Sequence, residues 1–257
     1  MRIDVNTFVG AYPYRRVPGT APDRLLAAMA RTAIDEAWVT HLPSVVARQP
    51  MEGNAWLYDA LAPDPRLKPV PAVHPGLAGW EAALGEARDH DAPAVRCDPG
   101  YYGLDPAGTE MRVLAAACGT SGLPLMMAVR LEDARQRHPT DRAPELPAAA
   151  VRALVRTDQD LRIIITHAER AFIEEVHFGS TPEEAARIWW DISWVWGPPE
   201  DHFAILLATI GAQRFVFGTG QPLRIPENAV AKLDLVALAP DQRAAIESGN
   251  ARAAVHP

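Results

Sequence analysis

The stretch Ile3-Asp4-Val5-Asn6-Thr7-Phe8 starts the pattern that decides the fold. Its first part is predicted to be a short β-strand. Short apolar runs rich in β-branched residues then recur to the end of the chain, and alanine-rich amphipathic segments separate them. Such alternation of strand-like and helix-like segments is typical of α/β folds that contain a parallel sheet.

Eight strands are predicted, at residues 2–6, 36–41, 68–74, 94–98, 125–130, 162–167, 188–195 and 214–219. Helices are predicted at residues 22–32, 54–62, 77–90, 109–121, 146–157, 182–187, 200–210, 226–238 and 240–248. Eight strand–helix units in about 250 residues is the count of a closed (β/α)₈ barrel, the TIM barrel. We therefore predict one α/β barrel domain that spans residues 1–257.

A doubly wound open sheet is the competing α/β architecture. That fold usually carries a glycine-rich phosphate-binding turn after its first strand, and Gly10-Ala11-Tyr12-Pro13 is not such a turn. The barrel is therefore favoured. Residues 135–147 are predicted to form a long loop after the fifth strand, and its length makes it a candidate cover for an active site.

Composition excludes several classes of function. The net charge of −7 offers no basic surface for a phosphate backbone, so nucleic-acid binding is not expected. No apolar run approaches the roughly 18 residues of a membrane span, and the N-terminus has no apolar signal-peptide core. Two cysteines, Cys97 and Cys118, fit a reduced protein, so a cytoplasmic location is expected.

Six short motifs lie at predicted strand ends or at the start of the last helix. They are Ile3-Asp4-Val5-Asn6, Val95-Arg96, Gly122-Leu123-Pro124-Leu125, Ile165-Thr166-His167, Phe217-Gly218-Thr219-Gly220 and Gly249-Asn250-Ala251-Arg252. In these motifs the chain resembles the amidohydrolase superfamily, in particular the amidohydrolase-2 branch that includes decarboxylases and lactonases. The resemblance covers nearly the whole chain. More narrowly it is similar to a subgroup with Asp-Val-Asn on strand 1 and Arg130-Leu131-Glu132-Asp133-Ala134-Arg135 after strand 5.

The resemblance implies five metal-ligand positions, and most of them hold other residues here. The two histidines of strand 1 correspond to Asn6 and Phe8, the histidine of strand 5 to Ala128, and the aspartate of strand 8 to Gly220. Only the strand 6 ligand is matched, by His167. Because a catalytic zinc needs about three protein ligands, we predict no bound metal and no cofactor. The alternative is a metal held through His41, His74 or Asp191.

His167 and Asp191 are the predicted catalytic residues. An imidazole near a carboxylate can act as an oriented general base without a metal. The alternatives are that His167 is a relic bonded within the barrel, and that Asp191 only accepts hydrogen bonds from loop amides. The histidines His177, His202 and His256 are predicted to be surface residues.

Arginines and aromatic residues supply the candidate substrate contacts. Arg96 and Arg130 are predicted at the ends of adjacent strands, where guanidinium groups suit bidentate capture of a carboxylate. The alternative is an ion-pair network with Asp98 and Glu132, two residues further on. The remaining candidates for substrate binding are Asn6, Phe8, Tyr12, Arg15, Tyr101 and Gln221.

The sequence thus favours an amidohydrolase-like hydrolase that acts without metal on a small carboxylate-bearing amide, ester or lactone. His167 would be the general base and arginines would hold the carboxylate. A decarboxylase or lyase on the same barrel is one alternative, and a metallohydrolase is another. A non-catalytic barrel that binds a ligand or partners a related barrel is the third. A homo-oligomer, or pairing with a related barrel, is the only expected protein association.

Overall fold

Eight parallel β-strands form the centre of the structure, a computed structural model that describes residues 1–255. The predicted surface residue His256 lies outside the described residues. The strands are β1 (Ile3–Val9), β2 (Glu36–His41), β3 (Leu67–Pro69), β4 (Val95–Arg96), β5 (Leu125–Ala128), β6 (Ile163–Thr166), β7 (Ile188–Asp191) and β8 (Phe215–Val216). Each pairs in parallel with the next, in two runs, β1 to β3 and β4 to β8.

Main-chain hydrogen bonds join the two runs and close the barrel. On one side, the Phe8 amide donates to the Gln221 carbonyl at 2.8 Å, and the Gly220 amide donates to the Asn6 carbonyl at 2.8 Å. On the other, the Arg96 amide donates to the Pro71 carbonyl at 2.9 Å. A sheet that closes in this way has no free edge. The predicted (β/α)₈ barrel is confirmed.

Thirteen α-helices occur between residues 1 and 255. They are α1 (Pro22–Thr32), α2 (Leu42–Val46), α3 (Gly53–Leu61), α4 (Trp80–Asp89), α5 (Pro99–Tyr102), α6 (Thr109–Ser121), α7 (Ala148–Val155), α8 (Arg170–Phe178), α9 (Pro182–Ala185), α10 (His202–Thr209), α11 (Glu227–Leu235), α12 (Pro240–Ala244) and α13 (Asn250–Val255). Of the described helices, none is both long and apolar enough to cross a membrane.

Several elements differ from the sequence prediction: strands β3, β4, β7 and β8 are shorter than predicted, and helices α2, α5 and α8 were not predicted. The third strand, predicted over residues 68–74, ends at Pro69, because Pro69 and Pro71 have no amide hydrogen to donate to a ladder. Helix α8 was missed. It is amphipathic and turns Ile173 and Val176, three residues apart, toward the core. It directly follows the strand that carries His167, and so fixes the direction in which the chain leaves that residue.

The barrel interior divides into an apolar lower part and a polar upper part. Side chains including Val5, Met126, Ile164 and Trp189 fill the end where the strands begin, and α13 packs against them through Ala251. Polar side chains collect at the carboxyl ends of the strands, where barrel enzymes place their chemistry. The buried polar groups that could form a site inside the barrel therefore lie at that end.

Candidate active site

A cluster of buried polar side chains lies at the carboxyl ends of β1, β4, β6 and β7. Its members are Asn6, Arg96, Asp98, His167 and Asp191, and each is at most 2% exposed. Burying charged groups costs free energy unless they are paired and hydrogen-bonded, so the partners of each side chain indicate what it can do. The structure brings together both predicted catalytic residues and two of the predicted substrate contacts.

His167 is held in an orientation that leaves one ring nitrogen free. Its backbone is left-handed, with φ of 58°, a conformation uncommon for residues other than glycine. Its ring Nδ1 lies 2.7 Å from the Arg130 carbonyl oxygen, which can only accept, so Nδ1 carries the proton. The other nitrogen, Nε2, therefore bears a lone pair, and it is buried without a hydrogen-bond partner among residues 1–255.

The charge state of His167 follows from its surroundings. Burial lowers its pKa well below the ordinary value of 6.5, and the positive charges of Arg96 and Arg224 lower it further. The hydrogen bond to the Arg130 carbonyl opposes this shift without reversing it. The ring is therefore neutral at neutral pH, and its Nε2 is able to accept a proton.

Asp191 positions the chain around His167 and contacts its backbone. One carboxylate oxygen accepts a hydrogen bond from the His167 amide at 2.9 Å. The other accepts hydrogen bonds from Asn6 Nδ2 and Ser193 Oγ, each at 2.7 Å. The predicted pairing of this carboxylate with the imidazole is wrong, because the Arg130 carbonyl takes the Nδ1 proton instead. In this structure Asp191 accepts hydrogen bonds from the main chain of His167 and from two side chains, and not from the imidazole.

Arg96 lies wholly inside the barrel. Its Nε donates to Asp98 Oδ2 at 2.7 Å, and the other oxygen of Asp98 accepts the Ala128 amide at 2.7 Å. Its guanidinium carbon lies 4.9 Å from the centre of the Phe8 ring, within cation–π range. Nη1 is 3.5 Å from the Asn6 oxygen, and Nη2 has no hydrogen-bond partner in the described part of the chain. Arg96 therefore forms an ion pair with Asp98 inside the barrel. Its Nη2 remains a donor without an acceptor among the described residues.

The side chains present do not fit a divalent metal. Asn6 and Phe8 stand at the two β1 positions, and the Asn6 amide is engaged by Asp191. A side chain at Gly220 would place its Cβ 3.1 Å from His167 Nε2. The imidazole therefore already occupies the space beside the strand 8 ligand position. Between residues 1 and 255 no group of three or more His, Cys, Asp and Glu side chains is arranged to hold an ion. A guanidinium is the principal cation of this cluster.

Arg130 and Arg224 flank Trp194 above His167. Arg130 forms ion pairs with Glu145 at 3.0 Å and Glu169 at 3.4 Å, in place of the expected partner Glu132. The Arg224 guanidinium stacks on Trp194, 3.9 Å from the ring centre. The Trp194 ring lies 5.9 Å from the His167 ring, centre to centre. From the sequence, Trp194 was interpreted as a packing residue and was not a predicted site residue, because only the fold brings the loops after β7 and β8 together.

Loops after β1 and β5 cover the other side of the mouth. Phe8 packs there with a set of apolar side chains, Tyr12, Val17, Leu42, Val45, Ala128 and Leu131. Glu132 accepts hydrogen bonds from Tyr12 Oη at 3.1 Å and from Arg15 Nε at 2.8 Å. We call the contact between Tyr12, Arg15 and Glu132 the latch. Tyr12 and Arg15, predicted to touch substrate, here hold two loops closed.

The last two predicted contacts have different surroundings. Tyr101 donates to Asp141 Oδ2 at 2.9 Å, on the long loop after β5, and so helps to fix that loop. Gln221 closes the barrel through its backbone, and its side-chain Nε2 is buried without a hydrogen-bond partner in residues 1–255. The Gln221 side chain is therefore a buried donor without an acceptor in the described residues. Tyr101 instead helps to hold the long loop after β5.

An open cavity adjoins this buried cluster. Its volume is about 530 Å³, and it lies between the loops after β5 and β7 and helix α11. We call it the α11 cavity; its walls include Glu169, Ser193, Trp194, Trp196, Arg224 and Lys232. Its size is within the range of small-molecule sites. Trp194 lines the cavity and also lies beside the His167 ring, so the cavity is next to the imidazole.

Comparisons with known proteins place the fold. No protein-family model matches the sequence, and no curated protein sequence matches it. Solved structures do match. A dihydroxybenzoic acid decarboxylase from Polaromonas, with manganese and 2-nitroresorcinol bound, is 13% identical with a TM-score of 0.74, over 99% of this chain and 96% of its own. An amidohydrolase from Burkholderia multivorans is 14% identical with a TM-score of 0.70, over 99% of both chains.

A probable 2-pyrone-4,6-dicarboxylic acid hydrolase from Acinetobacter baumannii, with citric acid bound, is also similar. It is 11% identical with a TM-score of 0.65, over 97% of both chains. At such low identity these likenesses establish the fold. The architecture that this chain shares with them is the (β/α)₈ barrel.

Proposed function

We propose that this protein is an amidohydrolase-type hydrolase that works without a bound metal on a small carboxylate-bearing ester, lactone or amide. One observation carries the proposal. His167 Nε2 is a neutral, fixed and unpartnered base among the described residues, and it lies in the field of Arg96 and Arg224. Orphaned buried polar atoms are rare in folded proteins, and they mark sites where a ligand or water completes the bonding.

The geometry supports a base mechanism. A water molecule that donates to His167 Nε2 would lose its proton to that nitrogen as its oxygen attacks the substrate carbonyl. The negative charge that develops on the carbonyl oxygen needs a donor in a dry environment, and Arg96 Nη2 is an unused donor of that kind. Arg224 and Arg130, at the rim, are placed to hold a substrate carboxylate.

Two of the similar structures bear on the substrate class. A hydrolase of a pyrone dicarboxylic acid, with citric acid bound, and a decarboxylase of a dihydroxybenzoic acid both share this fold. The arginine set of this chain agrees with carboxylate-bearing compounds as the class.

A screen with matched metal treatments tests the proposal. Chelated and then desalted protein is incubated with small lactones, esters, amides and aromatic carboxylates, and acid release and CO₂ release are both recorded. We expect a hydrolysed lactone or ester whose turnover is the same before and after chelation. Turnover that disappears on chelation and returns with a divalent ion would overturn the metal-free mechanism. Release of CO₂ alone would make the protein a decarboxylase.

Because His167 is fully buried, substrate must enter through an opening of the loops. The Glu132→Gln variant weakens the charge-assisted bonds of the latch by about 1 kcal/mol, which raises the open population about fivefold. We expect faster hydrogen exchange of amides 131–137 and a higher second-order rate of ligand binding. The control is Glu227→Gln, the same change in an exposed pair with Arg31 that lies outside the measured segment. Equal exchange in both variants would show that the latch does not control access.

A second candidate is a ligand-binding barrel without catalysis. It is favoured by the apolar packing of Phe8, Tyr12 and Leu131 over the mouth and by the complete burial of His167. The same screen separates the two functions when it is run with thermal shift. Ligands that raise the melting temperature and are recovered unchanged after long incubation would support binding alone.

A further inference from the structure

Lys232 lies at the wall of the α11 cavity, on a helix that the proposed mechanism does not use. Its side chain is 9% exposed, and its Nζ donates to the main-chain oxygen of Ile192. Its stem passes beside Gly197, where an added Cβ would lie 3.5 Å from Lys232 Cγ. Lysines are almost never this buried unless they are paired, and this one faces a cavity.

The charged groups around Lys232 come from several elements. Asp191 on β7 favours the ammonium form, whereas Arg224 after β8 opposes it. Asp133, Arg135 and Glu169 also line the cavity, and Asp133 and Arg135 pair with each other. Burial is the largest influence and lowers the pKa of Lys232 to about 8. A neutral amine can still donate to the Ile192 carbonyl while its lone pair stays free.

Lysine is scarce in this chain. Only Lys68 and Lys232 occur among its 25 Lys and Arg residues, so arginine supplies nearly every other cation. Arginine stays protonated in proteins, and a lysine amine can lose its proton and attack a carbonyl carbon. The cavity therefore contains the type of cation that is able to act as a nucleophile.

We propose that Lys232 is a reactive amine of the α11 cavity that forms an imine with a small aldehyde or ketone bearing a carboxylate. Arg224, stacked on Trp194 in the same cavity, would bind the carboxylate. The neutral amine attacks the carbonyl carbon, a C–N bond forms, and the carbonyl oxygen takes the proton that the nitrogen gives up. The resulting hydroxyl group then takes the second nitrogen proton and leaves as water, so that a neutral C=N bond to Lys232 remains. This chemistry is independent of His167.

Reductive trapping tests the proposal on the unmodified protein. The chain is incubated with glyoxylate and sodium cyanoborohydride at pH 7.5, and peptide mass spectrometry compares the adducts on Lys232 and Lys68. We expect at least about tenfold more adduct on Lys232, because an amine of pKa about 8 is roughly a quarter neutral at this pH and an ordinary lysine is ~0.1% neutral. Both lysines are measured in one folded sample, so the result needs no variant.

Variants then assign the role of each group. Lys232→Arg should abolish the dominant adduct, and Lys68→Arg should leave it unchanged. Arg224→Gln should reduce trapping of glyoxylate several-fold more than trapping of propanal, which has no carboxylate. Trapping of both falls to some extent, because loss of the Arg224 charge also raises the pKa of Lys232. Equal labelling of the two lysines, or labelling of Lys232 that does not rise between pH 6.5 and pH 8.5, would overturn the proposal.

Discussion

The His167→Asn variant is expected to lose about 10²- to 10⁴-fold in kcat/KM on the substrate that the screen identifies, the range typical for removal of a general base. Asparagine tolerates a left-handed backbone, so the main-chain donation to Asp191 is kept while the imidazole is removed. The melting temperature should therefore change little. The control is His177→Ala, on the outer helix α8, which should keep full activity.

The pH profile gives a readout that a purely structural histidine would not produce. A base must be unprotonated to act, and the pKa of His167 is well below 6.5 through burial and the nearby arginines. The wild-type kcat/KM should therefore be flat near neutrality and fall only in acid as the ring becomes protonated. If His167→Asn retained wild-type turnover, the base mechanism would be wrong and the ligand-binding function would be favoured.

The Arg96→Met variant is expected to lose about 3–5 kcal/mol of unfolding free energy, because it leaves the Asp98 carboxylate buried without its counter-charge. For a chain of this size that corresponds to a fall in melting temperature of roughly 10 °C. Methionine fills a similar volume, so the loss reports the charge more than a void. Thermal and urea unfolding measure it.

Two further variants assign that loss to the buried pair. Arg96→Met combined with Asp98→Asn should recover a large part of the stability, since the uncompensated charge is then removed. Arg66→Met breaks an exposed arginine–aspartate pair with Asp64, and its effect on stability should be small beside that of Arg96→Met because solvent screens exposed pairs. If Arg96→Met cost as little as Arg66→Met, Arg96 would not be the electrostatic centre of the barrel. The His167 pKa should also rise in Arg96→Met, because one of the charges that lower it is gone.

Much of the fold could be predicted from the sequence, for identifiable reasons. The apolar runs at residues 125–128 and 163–166 are fully buried strands, and burial on both faces makes such strands read as nearly continuous apolar runs. Helix α8 was missed because its buried residues Ile173 and Val176 are few beside its charged ones. The third strand was predicted to be too long, because its prolines lack the amide hydrogen that a strand needs to continue its hydrogen bonds.

The candidate site was predictable in its residues and only partly in its contacts. His167 follows from its place at the end of β6, and the substituted ligand positions Asn6, Phe8, Ala128 and Gly220 can be read directly. The partners could not be read. Arg130 binds Glu145 and Glu169 instead of Glu132, and Glu132 binds Arg15, which lies 117 residues away.

The sequence by itself determined a barrel of eight strand–helix units, because the spacing of apolar residues along the chain is a local property. It also determined that one histidine and several arginines lie at the strand ends. Only the tertiary structure decided which nitrogen of His167 is free, which groups lower its pKa, and that Lys232 faces a cavity. These depend on contacts between residues far apart, such as Asn6 with Asp191, 185 positions along the chain. Hydrogen bonds are short and directional, so the path of the folded backbone decides which donors find acceptors.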